Sequence, residues 1–131
     1  MAAASVLGIA LAVVLFFMLP TVLFNLLENA VKYSPTGGSV HVAGRQADGV
    51  FRMEVTDQGP GIPTELRQQI FEPFFRVDDA RSRQQGGAGL GLALVRAIAE
   101  AHGGAVRVEE APSGGSRFLL ELPMGPGRPD A

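Results

Sequence analysis

The stretch that most constrains this chain is LFNLLENAVKYSP, Leu23 to Pro35. At about 100° per residue, Leu23, Leu26, Leu27, Ala30 and Val31 share one side of a helix. Asn25, Glu28, Asn29 and Lys32 form a stripe on the other side, and Pro35 with Gly37 and Gly38 ends the helix. A polar stripe on a surface helix is ordinarily only solvated. This one carries two asparagines four residues apart, both poor helix formers. Such a pair suggests a demand for side-chain amide carbonyls on that face.

The chain around the stripe is 131 residues long, enough for one domain with its own core. Eleven basic and thirteen acidic residues give a net charge of −2 without a block of like charge, so no nucleic-acid surface is expected. Lys32 is the only lysine. There is no cysteine, hence neither a disulfide framework nor a thiolate metal site. The two histidines, His41 and His102, are too far apart in sequence to suggest a ligand pair.

Before the stripe, Ala2 to Leu27 holds no charged residue. A cleaved signal peptide is disfavoured, because no basic segment opens it and no A-x-A stands immediately before Pro20 at the end of the apolar run. Two readings stand level. The run is either a short membrane anchor, with every Lys and Arg following it on the cytoplasmic side, or a buried segment of the domain. The anchor reading expects the full chain to partition into detergent or membrane, and a chain starting at Pro20 to be soluble but less stable.

After the stripe, Ser39–Gly44 and Val50–Asp57 alternate as strands about an Ala47-Asp48-Gly49 turn. Phe51, Met53 and Val55 share a face, and Asp57 continues that parity, which aims a carboxylate at the core side. DQGPGIP breaks the strand, and Thr64–Ile70 reads as a short helix capped by Thr64. Phe71 to Ala88 reads as a long functional loop. Gly86 to Val95 leads into a helix ending near His102 and Gly103. Two more strands are expected at Ala105–Glu109 and Arg117–Leu122. The pattern predicts an α+β fold: a two-layer α/β sandwich with helices on one face of a mixed, mostly antiparallel sheet. Residues 1–19 form the apolar segment, 20–123 the domain and 124–131 a disordered tail.

Gly86, Gly87, Gly89 and Gly91 crowd a helix start, where free N–H groups favour an anion. A flexible hinge would look similar. A Walker A loop is excluded because no Gly-Lys-Ser/Thr occurs, and G-x-G-x-x-G fails at Leu92. Asp57 reads equally well as a strand-end carboxylate satisfied by turn amides or as a fixed acceptor for an exocyclic amino group. In the second reading Gly59 and Gly61 let a planar base lie against backbone. Neutral amide carbonyls suit Mg²⁺ already surrounded by phosphate oxygens, and Lys32 is placed to reach a phosphate.

NLLENAVKYSP, DQGPGIP, IFEPFFR, GGAGLGLALV and GGSRF resemble, in order and spacing, the ATP-binding catalytic domain of sensor histidine kinases. This is the Bergerat fold, shared with type II topoisomerases and Hsp90-like chaperones, and the resemblance covers about Pro20 to Pro123. It implies ATP and Mg²⁺ as cofactors. Asn29 would be the Mg²⁺ ligand with Asn25 assisting, and Lys32 would complete the catalytic set. Tyr33 would border the nucleotide and Asp57 bind the adenine amino group. Gly59, Gly61 and Ile62 would shape the base pocket, with Ser116 near the purine. Phe71, Phe74, Phe75 and Arg76 would anchor a lid. Gly87, Gly89, Leu90, Gly91 and Leu92 would hold the triphosphate. Glu28 carries no implied role and reads as a solvated helix residue.

Two departures qualify the resemblance. Leu19 precedes Pro20 where the family usually has Asp. Neither His41, followed by Val42, nor His102, followed by two glycines, fits a phosphoacceptor. The implied function is transfer of the γ-phosphoryl group to a histidine on a separate dimerisation and phosphoacceptor domain, with a response regulator as indirect partner. The expected place is the cytoplasm or the cytoplasmic side of the inner membrane. The alternatives are an anti-sigma-factor-type Ser/Thr kinase, against which IFEPFFR argues, and a nucleotide-binding remnant without turnover.

Overall fold

The computed structural model describes residues 2–76 and 89–124. The expected disordered tail beyond Met124 and most of the expected loop, Gly86 and Gly87 included, lie outside the described residues; Met124 itself packs against the core and its N–H donates to the Gly49 carbonyl at 2.8 Å. Helix α1 runs Ala2–Tyr33 and is followed by strands β1, His41–Ala47, and β2, Val50–Thr56. Two short 3-10 turns, Thr64–Leu66 and Gln69–Phe71, come next. Helix α2, Gly91–Ala101, precedes β3, Ala105–Glu110, and β4, Ser116–Pro123.

The four strands form one sheet in the order β1-β2-β4-β3, and every pairing in it is antiparallel. The β1–β2 hairpin closes with Ala47 opposite Val50. Its turn residues Asp48 and Gly49 have φ of 55° and 75°, the doubly left-handed geometry that an Asp-Gly pair supplies. The hairpin carries β1 through to Ala47, past the expected end at Gly44. The 64–71 region also differs from expectation. It is two 3-10 turns rather than a helix, and no side chain caps the first. Pro63 there keeps an extended ψ of 142°, so the chain enters the turn without a helical run-in.

Both helices lie on one face of the sheet. Val22, Leu26 and Ala30 of α1, spaced four apart, meet Val95 and Ala99 of α2 over Met53, Val55, Phe118, Leu120 and Leu122. Phe71 meets Phe118 edge to face, with centroids 6.1 Å apart. Burial of each of these larger side chains contributes roughly 1.5–3 kcal/mol before entropy is counted. On the outer face, Leu119 is buried although it shares the parity of Arg117 and Glu121. Its register neighbours are Glu54 and Arg107, and ion pairs join Glu121 to Arg107 at 2.6 Å and to Arg52 at 3.4 Å. The aliphatic stems of such charged residues cover apolar surface while their heads stay wet.

The apolar run and the polar-striped helix are one continuous α1, with Pro20 inside it. Pro20 brings no N–H to the Phe16 carbonyl, a defect that a helix end or a kink accommodates. Among the described side chains, inward packing is first seen here: Leu19 is half-buried against the core and Val22 is fully buried. Among the described side chains nearer the N-terminus, Val6, Ile9, Val13, Phe16 and Phe17 are exposed, so they do not form the buried segment that one reading of the run expects. Among the described residues no helix is long and apolar enough to cross a membrane.

Candidate functional site

The polar stripe of α1 faces a cavity of about 480 Å³. Asn25, Glu28, Asn29, Lys32 and Tyr33 form one wall. The loop after β2 supplies Asp57, Pro60, Gly61, Ile62 and Pro63, and Ile70 closes behind them. Phe75 and Arg76 line it from one side, the start of α2 contributes Gly89 through Leu92, and Ser116 opens β4 into it.

Asp57 holds the deepest position, 3% exposed at the end of β2. Its Oδ1 accepts the N–H of Gly59 at 2.9 Å and that of Ser116 at 3.0 Å. The Asp57 N–H in turn donates to the Ser116 carbonyl at 2.9 Å. This ties the carboxylate across two strands and fixes its orientation. The other oxygen, Oδ2, makes no hydrogen bond among the described residues. No partnerless side-chain oxygen or nitrogen is buried among them, so Oδ2 opens to the cavity. One oxygen is thus satisfied by turn amides and the other is left as an acceptor. The turn-amide reading of Asp57 accounts for Oδ1, and Oδ2 is the atom that the other reading would use.

The stripe is ordered by the helix itself. Asn25 Nδ2 donates to the Thr21 carbonyl at 2.8 Å, which leaves Asn25 Oδ1 as the outward atom. A Cβ added to Gly91 would lie 2.8 Å from that oxygen, so a larger residue there would push the Asn25 side chain aside. Asn29 follows one turn later on the same face. Lys32 Nζ lies 5.6 Å from the centroid of the Tyr33 ring. Helix α2 starts without a side-chain cap, so its first N–H groups remain available beside the cavity.

The other expected residues divide. Gly59 does not line the cavity; a Cβ there would sit 2.7 Å from the Tyr33 carbonyl, so the glycine lets the turn press against the end of α1. Gly61 does line it, with φ of 78° and the Gly114 carbonyl 2.8 Å from its would-be Cβ. Phe71 belongs to the core, 3% exposed, whereas Phe74 is exposed with a left-handed φ of 66°. The Phe74 N–H donates to the Gly89 carbonyl at 3.0 Å. Pro60, Pro63 and Ile70 were not expected as lining, nor was Glu28, which is exposed at the cavity edge. Gly115 was missed too. A Cβ there would strike the Asp57 backbone carbonyl, and its place inside GGSRF was the available signal.

The cavity thus brings together two side-chain amides, a lysine, a buried carboxylate with one oxygen open to it and an uncapped helix start. The family model "Histidine kinase-, DNA gyrase B-, and HSP90-like ATPase" matches residues 18–126. The chain therefore belongs to that ATPase family. Within it, the similarity is to sensor histidine kinases. The chain is 45% identical over 109 residues to the sensor-like histidine kinase SenX3 of Mycolicibacterium smegmatis, covering 83% of this chain and 28% of that protein. It is 44% identical over 106 residues to CpxA of Escherichia coli, covering 81% of this chain and 23% of that protein. Among solved structures, the mycobacterial sensor kinase MprB superposes with a TM-score of 0.69 at 42% identity, covering 83% of this chain and 70% of that one. Full-length ShkA in complex with AMPPNP gives 0.69 at 39% identity, covering 80% of this chain and 21% of that one. The chain thus spans about a quarter of the length of the curated relatives it matches.

Proposed function

We propose that the chain binds Mg²⁺-ATP and donates its γ-phosphoryl group to a histidine on a phosphoacceptor domain, as the catalytic module of a sensor histidine kinase. The observation that carries the reading is Asp57, held by Gly59 and Ser116 through Oδ1 while Oδ2 opens to the cavity. That oxygen accepts from the adenine amino group, and Gly61 and Ile62 give the base an apolar ledge. Tyr33 and Ser116 border the base. Lys32 contacts phosphate, and Gly89 and Gly91 admit phosphate oxygens close to the α2 backbone.

The residues present fit Mg²⁺. Asn25 Oδ1 and Asn29 offer neutral carbonyl oxygens on successive turns, and no cluster of three metal-binding His, Cys, Asp or Glu occurs among the described residues. With phosphates supplying negative oxygens, Asn29 would hold the ion, with Asn25 assisting. The ion, when bound, neutralises charge on the phosphates. In the transfer, an imidazole nitrogen of the acceptor attacks the γ-phosphorus as its bond to the β–γ bridging oxygen breaks, and ADP leaves. What this chain contributes is position and charge: Asn29 and Lys32 hold the phosphates in line, and Asp57 fixes the far end.

The test is incubation of the chain with γ-labelled ATP and a separately produced histidine-containing acceptor hairpin. Acid-labile phosphohistidine is expected. Acid-stable phosphoserine would move the chain to the Ser/Thr kinases, and ATP binding without transfer would mark a non-catalytic module. A response regulator receives the group afterwards. The sensor-kinase kinship supports a working place at the cytoplasmic side of the inner membrane.

A further inference from the structure

The cavity loop after β2 is nearly bare of hydrogen bonds. Pro60 and Pro63 have no N–H to give, and Gly61 sits at a left-handed φ. Upstream the loop is secured, by Asp57 Oδ1 on Gly59 and by Gln58, whose N–H reaches Ser34 Oγ at 3.4 Å and whose Oε1 takes the Ser39 N–H at 3.0 Å. Downstream the 3-10 turn begins with Leu66 N–H on the Pro63 carbonyl at 2.9 Å. Between these anchors, Pro60, Gly61 and Ile62 make one hydrogen bond among the described residues. The Arg67 Nε–H donates to the Ile62 carbonyl at 3.0 Å. Arg67 is half-buried, lies outside the cavity lining, and its own N–H bonds back to Thr64 at 3.3 Å.

We infer that Arg67 is a positioning residue for nucleotide selection: by holding the Ile62 carbonyl it fixes the Gly61–Ile62 ledge opposite Asp57 and so sets how the base is read. The role rests on the nucleotide reading of the cavity. A guanidinium suits it because its planar fork gives Nε–H a fixed direction, which an ammonium on a flexible stem does not. With the tie gone, the two glycines and the helix-free backbone between Gly59 and Pro63 leave only the Ile62 side chain to hold the ledge against the core.

The experiment compares Arg67→Met, which keeps the stem and removes the donor, with Arg67→Lys, in the full chain. Binding of Mg²⁺-ATP, Mg²⁺-ADP and Mg²⁺-GTP is measured by calorimetry, alongside the thermal midpoint and backbone ¹⁵N order parameters at Gly59, Gly61 and Ile62. Arg67→Met is expected to bind ATP and ADP about three- to tenfold more weakly, by a common factor, and to narrow the ATP-to-GTP preference. Arg67→Lys should recover part of both. Order parameters at Gly61 and Ile62 should fall in Arg67→Met without nucleotide, whereas that of Gly59 stays high. A lower midpoint with unchanged affinities and unchanged selectivity would overturn the inference, as would unchanged order parameters at Gly61 and Ile62. Should Arg67→Met not fold, Arg67→Lys decides by the same measurements. A wild-type chain that binds no adenine nucleotide sinks the nucleotide reading instead, and the order parameters still judge the tie.

Discussion

Asp57 divides its labour between two oxygens, and that division makes the site testable one residue at a time. Replacing it with asparagine swaps an acceptor for an amide that can turn its NH₂ toward the amino group of adenine. Asp57→Asn is expected to lose the preference for ATP over GTP, on the order of 1–3 kcal/mol, read by competition binding. On α1, Asn29→Ala should weaken Mg²⁺-ATP far more than Glu28→Ala, although both side chains line the cavity. The reverse order would mean that the helix face has been assigned wrongly. A third case involves no side chain. At Gly115 a Cβ would strike the Asp57 carbonyl, and a rigid backbone neighbour cannot turn aside. Gly115→Ala should lower stability by about 1–3 kcal/mol in denaturant melts and weaken ATP binding with it.

Elements with alternating or four-spaced apolar residues were legible without coordinates. Strand β2 was expected over Val50–Asp57 and runs Val50–Thr56, and α2 begins among the glycines as its stripe implied. The polar stripe of α1 also identified one wall of the cavity. What the sequence left hidden has physical causes. A run that is apolar at every position has no period, so nothing distinguished an independent segment from a helix continuing through Pro20. Arg67 acts through a backbone carbonyl five residues back, a contact that leaves no motif. Leu119 reads as a solvent-side residue by parity, yet it is buried between its register neighbours Glu54 and Arg107, which parity alone does not reveal. The packing of α1 also separates two truncations. A chain starting at Met18 keeps Leu19 and should melt where the full chain does. A chain starting at Pro20 loses that contact and should fall by about 1–2 kcal/mol. Both should stay monomeric without detergent, while the full chain, with Val6, Ile9, Val13, Phe16 and Phe17 exposed, should require detergent or associate; sedimentation decides.

Across the whole molecule, the sheet's outer face is stitched by charge. The hydrogen bond from Arg107, aided by the nearby Arg52, holds the Glu121 carboxyl below the ordinary glutamate range against a smaller opposing effect of burial. A carboxyl depressed in the folded state contributes stability above its unfolded pKa and loses it as pH falls through the folded value. The contribution of Glu121 is therefore full at neutral pH and fades below about pH 4. Because the group is part-exposed and screened, Glu121→Gln should cost under about 1 kcal/mol at pH 7 and make the acid limb of a stability–pH curve shallower.

The bond from the Phe74 N–H to the Gly89 carbonyl has a bearing on engineering. It brings together the two ends of the stretch that separates the cavity's Phe75–Arg76 side from the start of α2. Where both ends of a loop are already pinned, doubling the length enclosed costs only about 0.6 kcal/mol of closure entropy. A peptide tag or a small reporter inserted between Val77 and Ala88 should leave the melting midpoint nearly unchanged. The same insertion between Asp57 and Pro63 would pull apart the tethered ledge. The pinned ends, Phe74 and Gly89, therefore mark a point beside the cavity at which foreign sequence can enter the domain.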